Sequence, residues 1–200
     1  MKKYLALAIA TGIVIQTGCT SKKPEITITN EPKVSQLGQK VSMTLLKRLK
    51  GELLKALQKG PYAAIDVCHT KALKITKQVE EQFNHGIKVK RTSLKYRNPK
   101  NKPDEVDRRI LSYLEQLNKQ GKLPKELVAK VEENGKTYYR YYKPLKIKPM
   151  CLMCHGDPKQ MDKKLLAKIR KYYPEDKAVG YKVGDLRGVV EVKIPADIIK

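Results

Sequence analysis

The chain has 200 residues, and its 43 Lys and Arg against 20 Asp and Glu give a formal net charge of +23 at pH 7. This length suffices for one domain with a hydrophobic core, and a charge of this size attracts nucleic acid, anionic lipid or acidic proteins. Because the cations are scattered over predicted helix faces and the N-terminus predicts export, we expect no nucleic-acid partner.

Residues 1–18 are predicted to be a signal peptide. Met1–Lys3 is positively charged, and the apolar stretch Tyr4–Ile15 is short for a membrane span. Small residues precede Cys19, which is typical of a bacterial lipoprotein, so Cys19 is the predicted lipidation site. Gln16 stands where an aliphatic residue is usual, which leaves an ordinary signal peptide or an uncleaved anchor open. Export predicts a location in the periplasm or at the cell exterior, attached to the membrane by lipid.

Residues 19–33 are predicted to be a lipidated N-terminus and linker, and residues 34–200 one domain. Apolar residues at three- and four-residue spacing predict a long N-terminal amphipathic helix from Val34, which Gly60 stops. Pro61 can open a second helix. The apolar residues of this second helix form one stripe: Ile65, Cys68, Ala72, Ile75, Val79 and Phe83.

Strands and helices alternate in the rest of the chain. The predicted elements are a strand at Ile87–Ser93, a helix capped by Asp104, a hairpin of Leu127–Glu132 and Thr137–Tyr142 around Asn134-Gly135, a helix at Met161–Tyr172 and a strand at Gly188–Ile194. Together they indicate an α+β domain.

The segment Cys151-Leu152-Met153-Cys154-His155 matches C-x-x-C-H, the attachment motif of a c-type haem. Cys151 and Cys154 would bind the haem covalently, and His155 would be the proximal ligand of the iron. A redox dithiol or half of a zinc site are the alternatives. The other cysteines, Cys19 and Cys68, lie far apart and provide no second close pair for zinc. The sequence therefore predicts one covalent haem c.

Further short motifs fall in order along the chain around this segment. They are Ala64-Ile65-Asp66-Val67-Cys68, Arg91-Thr92-Ser93, Arg97-Asn98-Pro99, Asn101, Pro103, Pro144-Leu145, Tyr173-Pro174, Asp176, Ala178, Gly180-Tyr181, Gly184-Asp185 and Arg187-Gly188. Together with C-x-x-C-H they resemble the c-type haem sensor-domain family that often forms the extracytoplasmic part of bacterial histidine kinases and cyclases. The resemblance covers nearly all of the chain from about Val34, and it implies a PAS-like antiparallel sheet flanked by helices.

The resemblance also implies a role for Cys68 as the second axial ligand, opposite His155. The residues alone predict only an unpaired thiol on a core-facing stripe, and such a cysteine is usually a small hydrophobe. His69 is the rival ligand, because imidazole binds haem iron well, although it is turned about 100° from the stripe.

Arg91, Arg97 and Asn98 are predicted to contact the haem propionates or to brace the pocket, since guanidinium groups pair with carboxylates. A capped loop with solvent-facing arginines is the open alternative.

Three functional hypotheses follow from a haem with two axial ligands. The first is a module that senses redox state or a small gas, in which a thiolate ligand is released on reduction. The second is a periplasmic electron carrier that docks an acidic partner. The third is a catalytic role such as a peroxidase, which we rank last. We expect no enzyme, because no distal base is evident and a six-coordinate iron has no free position for substrate. No kinase or cyclase segment follows Lys200, so we expect a stand-alone protein.

Overall fold

A computed structural model describes residues 23–199, and the predictions for the signal peptide and for Cys19 lie outside this range. The strands are β1 (Glu25–Thr29), β2 (Lys88–Thr92), β3 (Leu127–Glu133), β4 (Lys136–Lys146) and β5 (Leu186–Pro195). The helices are α1 (Pro32–Leu57), α2 (Pro61–Thr70), α3 (Ala72–Phe83), α4 (Glu105–Lys119), α5 (Leu152–His155) and α6 (Lys163–Tyr172). The strands pair antiparallel in the order β1-β3-β4-β5-β2. The predicted α+β class, an antiparallel sheet flanked by helices, is confirmed.

The sheet separates two hydrophobic layers. On one face α1 and α3 pack over Val89, Tyr141 and Val192, and on the other α4 packs over Val131 and Tyr142. Tyr141 and Tyr142 are adjacent in β4 and point to opposite faces, as alternation along a strand requires. Both are fully buried, so each anchors one layer. Across residues 23–199, no helix combines the length and apolar character needed to cross a membrane.

The start of the domain differs from the prediction. Residues 25–29 were expected to belong to a linker, yet they form β1 and pair with β3 from Glu25 opposite Glu132 to Thr29 opposite Val128. Two isoleucines in alternation are too short a pattern to predict a strand from the sequence. The strand forms because its backbone pairs with the edge of β3. The domain therefore begins before Val34.

The second predicted helix is also different, because it is two helices. It breaks at Lys71, after which α3 packs on α1 and β2, while α2 packs on α1 and α6. The continuous apolar stripe concealed this break. Its consequence is that Cys68 lies in the last turn of α2, half-buried, rather than in the core beneath the sheet.

Helix α1 approaches the sheet closely at Gly38. A Cβ atom built at Gly38 would overlap the ring of Tyr141. Glycine lowers the stability of a helix interior, but here it permits contact between the helix backbone and a buried aromatic ring.

A buried ionic cluster connects α4 to the sheet. Arg140, whose side chain is 2% exposed, lies 2.7 Å from Asp104, 3.4 Å from Asp107 and 3.3 Å from Glu191. Lys90 lies 2.5 Å from Asp107 and 3.6 Å from Glu191. Arg140 also lies 3.6 Å from Glu133, so two cations face four carboxylates. Burial, and then the charge of Asp107, raise the pKa of Glu191 to about 7, although Lys90 and Arg140 oppose this.

This cluster predicts a stability that falls as the pH rises. The pKa of Glu191 is about 7 in the folded chain against 4.5 for a free side chain, so its contribution is fully present below pH 4.5 and is lost as the pH rises through 7. We expect a loss of up to about 3 kcal/mol in the free energy of unfolding, measured by urea denaturation between pH 5 and 8.

The Glu191→Gln variant should lose most of this slope, while Glu175→Gln, at an exposed site, should keep it. An unchanged slope in Glu191→Gln would show that another group titrates.

At low pH the opposite effect operates at Asp104. Despite partial burial, hydrogen bonds from the Asp107 N–H and from Arg140 lower the pKa of Asp104 to about 2, so its contribution is lost as the pH falls below 3.8.

Candidate cofactor site

The C-x-x-C-H segment forms one short helical turn. Cys151 ends a 3₁₀ turn, and α5 carries Cys154 and His155. The thiols of Cys151 and Cys154 are free and half-buried. Burial raises the pKa of the Cys154 thiol. The backbone N–H of Tyr181 donates to the carbonyl of His155 at 3.0 Å, which holds the turn against the chain that leads to β5.

The imidazole of His155 has a defined orientation. Its Nδ1 lies 2.7 Å from the carbonyl oxygen of Ala178, and because a carbonyl only accepts, Nδ1 carries the proton. Burial, with Arg187 and Arg97 nearby, holds the pKa of His155 well below its usual value, so the ring is neutral. The Nε2 lone pair is therefore available for a metal, in the arrangement that most histidine ligands show.

His155 opens onto a cleft at the end of the sheet where β2 ends and β5 begins. The cleft has a volume of about 190 Å³. Its lining comes from α2, α3, β2, β4, β5, α5 and the connecting loops: Cys68, Leu73, Arg91, Thr92, Ser93, Tyr96, Arg97, Asn98, Asn101, Leu145, His155, Tyr173, Arg187, Gly188 and Val189. Cofactor pockets usually measure about 300–1,000 Å³, so a group the size of a haem requires side chains of the cleft to move or keeps one edge in solvent.

Cys68 and His155 line the same cleft, although they lie 87 positions apart in the sequence. Burial raises the pKa of the Cys68 thiol, while the charges of Arg91 and Arg97 favour its thiolate. His69 lies outside the cleft, since its exposed ring stacks on Tyr172 with centroids 4.3 Å apart and an interplanar angle of 9°. Cys68, and not His69, therefore lines the same cleft as His155.

Three guanidinium groups face this cleft. Arg97 lies 3.0 Å from Asp176 and donates to the carbonyl of Cys154 at 2.6 Å, but its buried Nε has no partner. Arg187 donates to the carbonyl of Lys95 at 3.1 Å. The side chain of Arg91 has no hydrogen-bond or ion-pair partner among residues 23–199. Burial lowers the pKa of both Arg91 and Arg187.

One carboxylate for three guanidinium groups leaves positive charge in the cleft without compensation. Such a charge is costly to bury unless a ligand neutralises it. The cleft therefore fits a ligand with about two acidic groups next to an apolar, metal-binding part.

Asn98 also lines the cleft, but its side-chain oxygen accepts the N–H of Lys100 at 3.0 Å. Of the residues predicted to contact propionates, Arg91 and Arg97 have unpartnered guanidinium nitrogen atoms and Asn98 caps a 3₁₀ turn. Within the described part of the chain, no three His, Cys, Asp or Glu side chains converge as a metal site built from protein ligands alone.

Sequence reasoning missed three contributors. Arg187 was not assigned to the site, Asp176 was not assigned to Arg97, and the Ala178 carbonyl that orients His155 has no side-chain signal. All three belong to the short motifs on which the family resemblance rests, and this clustering beside C-x-x-C-H was the available clue.

The fold and the cleft define a class of small α+β protein in which a C-x-x-C-H turn and an arginine-lined cleft share one end of a sheet. More specifically, the chain belongs to the Tll0287-like family, whose model matches residues 10–195. It is also similar to the crystal structure of the cyanobacterial haem protein Tll0287, with 25% identity and a TM-score of 0.54 over 84% of this chain and 97% of that chain. No curated protein matches the chain.

Proposed function

We propose that this protein is a single-haem c-type cytochrome that acts as a redox- or gas-sensing module. Cys151 and Cys154 bind the haem covalently, His155 is the proximal ligand and Cys68 the distal ligand. The observation that carries the proposal is the shared cleft: a neutral imidazole with a free Nε2 and an unpaired thiol line it together. The similarity to a haem protein of the same family supports it.

The charge of the cleft supports the same ligand. A haem carries two propionates, and the guanidinium groups of Arg91, Arg97 and Arg187 exceed the single carboxylate of Asp176 by two charges. These arginines would bind the propionates through charge-assisted hydrogen bonds and so orient the ring.

The bound haem supplies reversible one-electron chemistry at its iron. In a sensing response, this chain would take up a proton at the Sγ atom of Cys68. Arg91 and Arg97 favour the thiolate, whereas burial raises the pKa of the thiol, so Sγ takes up a proton readily once it is no longer bound to a cation. Cys68 is thus suited to exist in two states, a thiolate ligand and a neutral thiol.

Electron transfer is the alternative function. Its support is the formal net charge of +23, which would steer the protein towards an acidic redox partner. In both functions we expect no enzymatic role, because Cys68 and His155 would both bind the iron and would leave it no free position for a substrate.

We also propose that the protein is exported and held to a membrane by lipid at Cys19, on the evidence of residues 1–19. Mass spectrometry of the mature N-terminus should find a diacylglyceryl Cys19. An intact Met1, or an unmodified terminus beyond Cys19, would contradict lipidation.

The direct test of the proposed function is the haem content of the purified protein. We expect a whole-protein mass that exceeds the polypeptide mass by one haem, and a low-spin ferric spectrum by optical absorption and EPR. A mass equal to that of the polypeptide after expression with a haem-attachment system would overturn the proposal.

A further inference from the structure

A second concavity, the α1–α3 groove, lies between these two helices. Its volume is about 870 Å³, larger than that of the cofactor cleft. Five cationic side chains line it, namely Lys47, Arg48, Lys55, Lys71 and Lys74. Glu52 is its one carboxylate, and Gly51 and the buried Ile75 also line it.

Most of this positive charge is not neutralised within the chain. Glu52 lies 2.7 Å from Lys71 and 3.6 Å from Lys55, so it is shared by two cations. Lys47 and Lys74 are exposed and have no ion-pair or hydrogen-bond partner among residues 23–199. The groove therefore complements an acidic ligand.

At Gly51 no side chain of α1 projects into the groove. Gly51 lies in the interior of α1, where glycine is an unfavourable residue. At Gly38 the close approach of Tyr141 explains the glycine, but a Cβ atom at Gly51 would have no atom within 4 Å. Packing within the chain does not require a glycine here, and the α1 backbone at Gly51 is open to a ligand in the groove.

We propose that the α1–α3 groove binds an acidic amphipathic helix of a partner protein. The wall that α1 contributes runs from Thr44 to Lys55, about 16 Å or three helical turns. Two helices side by side offer a third helix a groove to pack into, and the cationic rim pairs with its flanking carboxylates. A second copy of this chain is disfavoured as the occupant, because both copies carry a net charge of +23.

The groove adjoins the cofactor cleft without being part of it. Leu73 and Lys74 are adjacent on α3, and Lys74 lines the groove while Leu73 lines the cleft. Helix α3 would therefore lie between a partner helix in the groove and the cleft that Cys68 lines. The groove proposal itself does not depend on haem, and its test does not measure haem.

The test is an NMR titration of the ¹⁵N-labelled full chain with a synthetic helical peptide of about 15 residues, whose length of about 22 Å spans the groove wall of about 16 Å with a turn to spare. The peptide carries Leu at i, i+3, i+4 and i+7 on one face and Glu elsewhere. We expect the largest amide shift changes around Gly51 and Ile75. Lys47→Glu combined with Lys74→Glu should weaken binding about tenfold or more, whereas Lys163→Glu with Lys171→Glu, two exposed lysines on α6, should change it less than about twofold.

The Gly51→Leu variant tests the contribution of the groove's shape to peptide binding separately from that of its charge. This variant places a side chain in the groove and leaves the net charge unchanged, so it should also weaken the binding of the peptide several-fold. Gly51→Ala is a milder version if the leucine disturbs folding. Equal losses in the two lysine pairs would show only non-specific attraction. Shift changes away from the groove, or equal binding of a peptide with Lys in place of Glu, would overturn the proposal. So would binding of phosphatidylglycerol vesicles at the groove without binding of the peptide, since it would assign the groove to a lipid surface.

Discussion

Replacing Cys151 and Cys154 together with alanine is expected to abolish covalent haem. In the structure both thiols are free, and the same short turn carries His155, so no other pair of cysteines among the described residues is placed to hold a haem over that imidazole. On a denaturing gel the wild-type chain should keep its haem stain, and the double variant should lose it completely. The whole-protein mass should fall by one haem in addition to the two sulfur atoms.

The matched control is Cys68→Ala, which removes the third described thiol but leaves the attachment motif intact. This variant should keep its haem through denaturation. Haem that survives denaturation in the Cys151→Ala, Cys154→Ala protein would contradict the assignment. Each single variant should retain one thioether bond, which suffices to keep the haem attached, and should therefore keep a haem stain.

Replacing Cys68 with alanine is expected to change the spin state of the ferric protein. A thiolate ligand gives low-spin ferric iron and stabilises it over ferrous iron, because it donates electron density. Without Cys68 the spectrum should become high-spin or water-ligated, and the reduction potential should rise by something on the order of 0.1 V. Optical absorption, EPR and a redox titration measure these changes.

His69→Ala is the matched control, since it alters the neighbouring residue and the rival ligand. Its ring stacks on Tyr172 outside the cleft, so the spectrum and the potential should stay close to wild type. If the two variants behave the other way round, the haem has two histidine ligands, and simple electron transfer becomes the better function. Carbon monoxide binding to the reduced wild-type protein would favour sensing, because it requires release of Cys68.

Sequence patterns that span only a few residues were sufficient to predict much of the fold. The predicted hairpin turn has Asn134 at φ 52° and Gly135 at φ 73°, the conformation that Asn-Gly favours. Asp104 caps α4 through a bond from the Asp107 N–H of 2.8 Å. These elements were predictable because their cause is local backbone and side-chain chemistry.

The sequence by itself determined the attachment motif, the unpaired state expected for Cys68 and the α+β class. The tertiary structure decided which residues meet. Helix periodicity turns His69 away from the stripe that carries Cys68. It shows neither the break at Lys71 nor that Cys68 and His155 line one cleft. In the same way Arg187 joins Arg91 because β5 pairs with β2, a contact between distant segments that no local pattern contains.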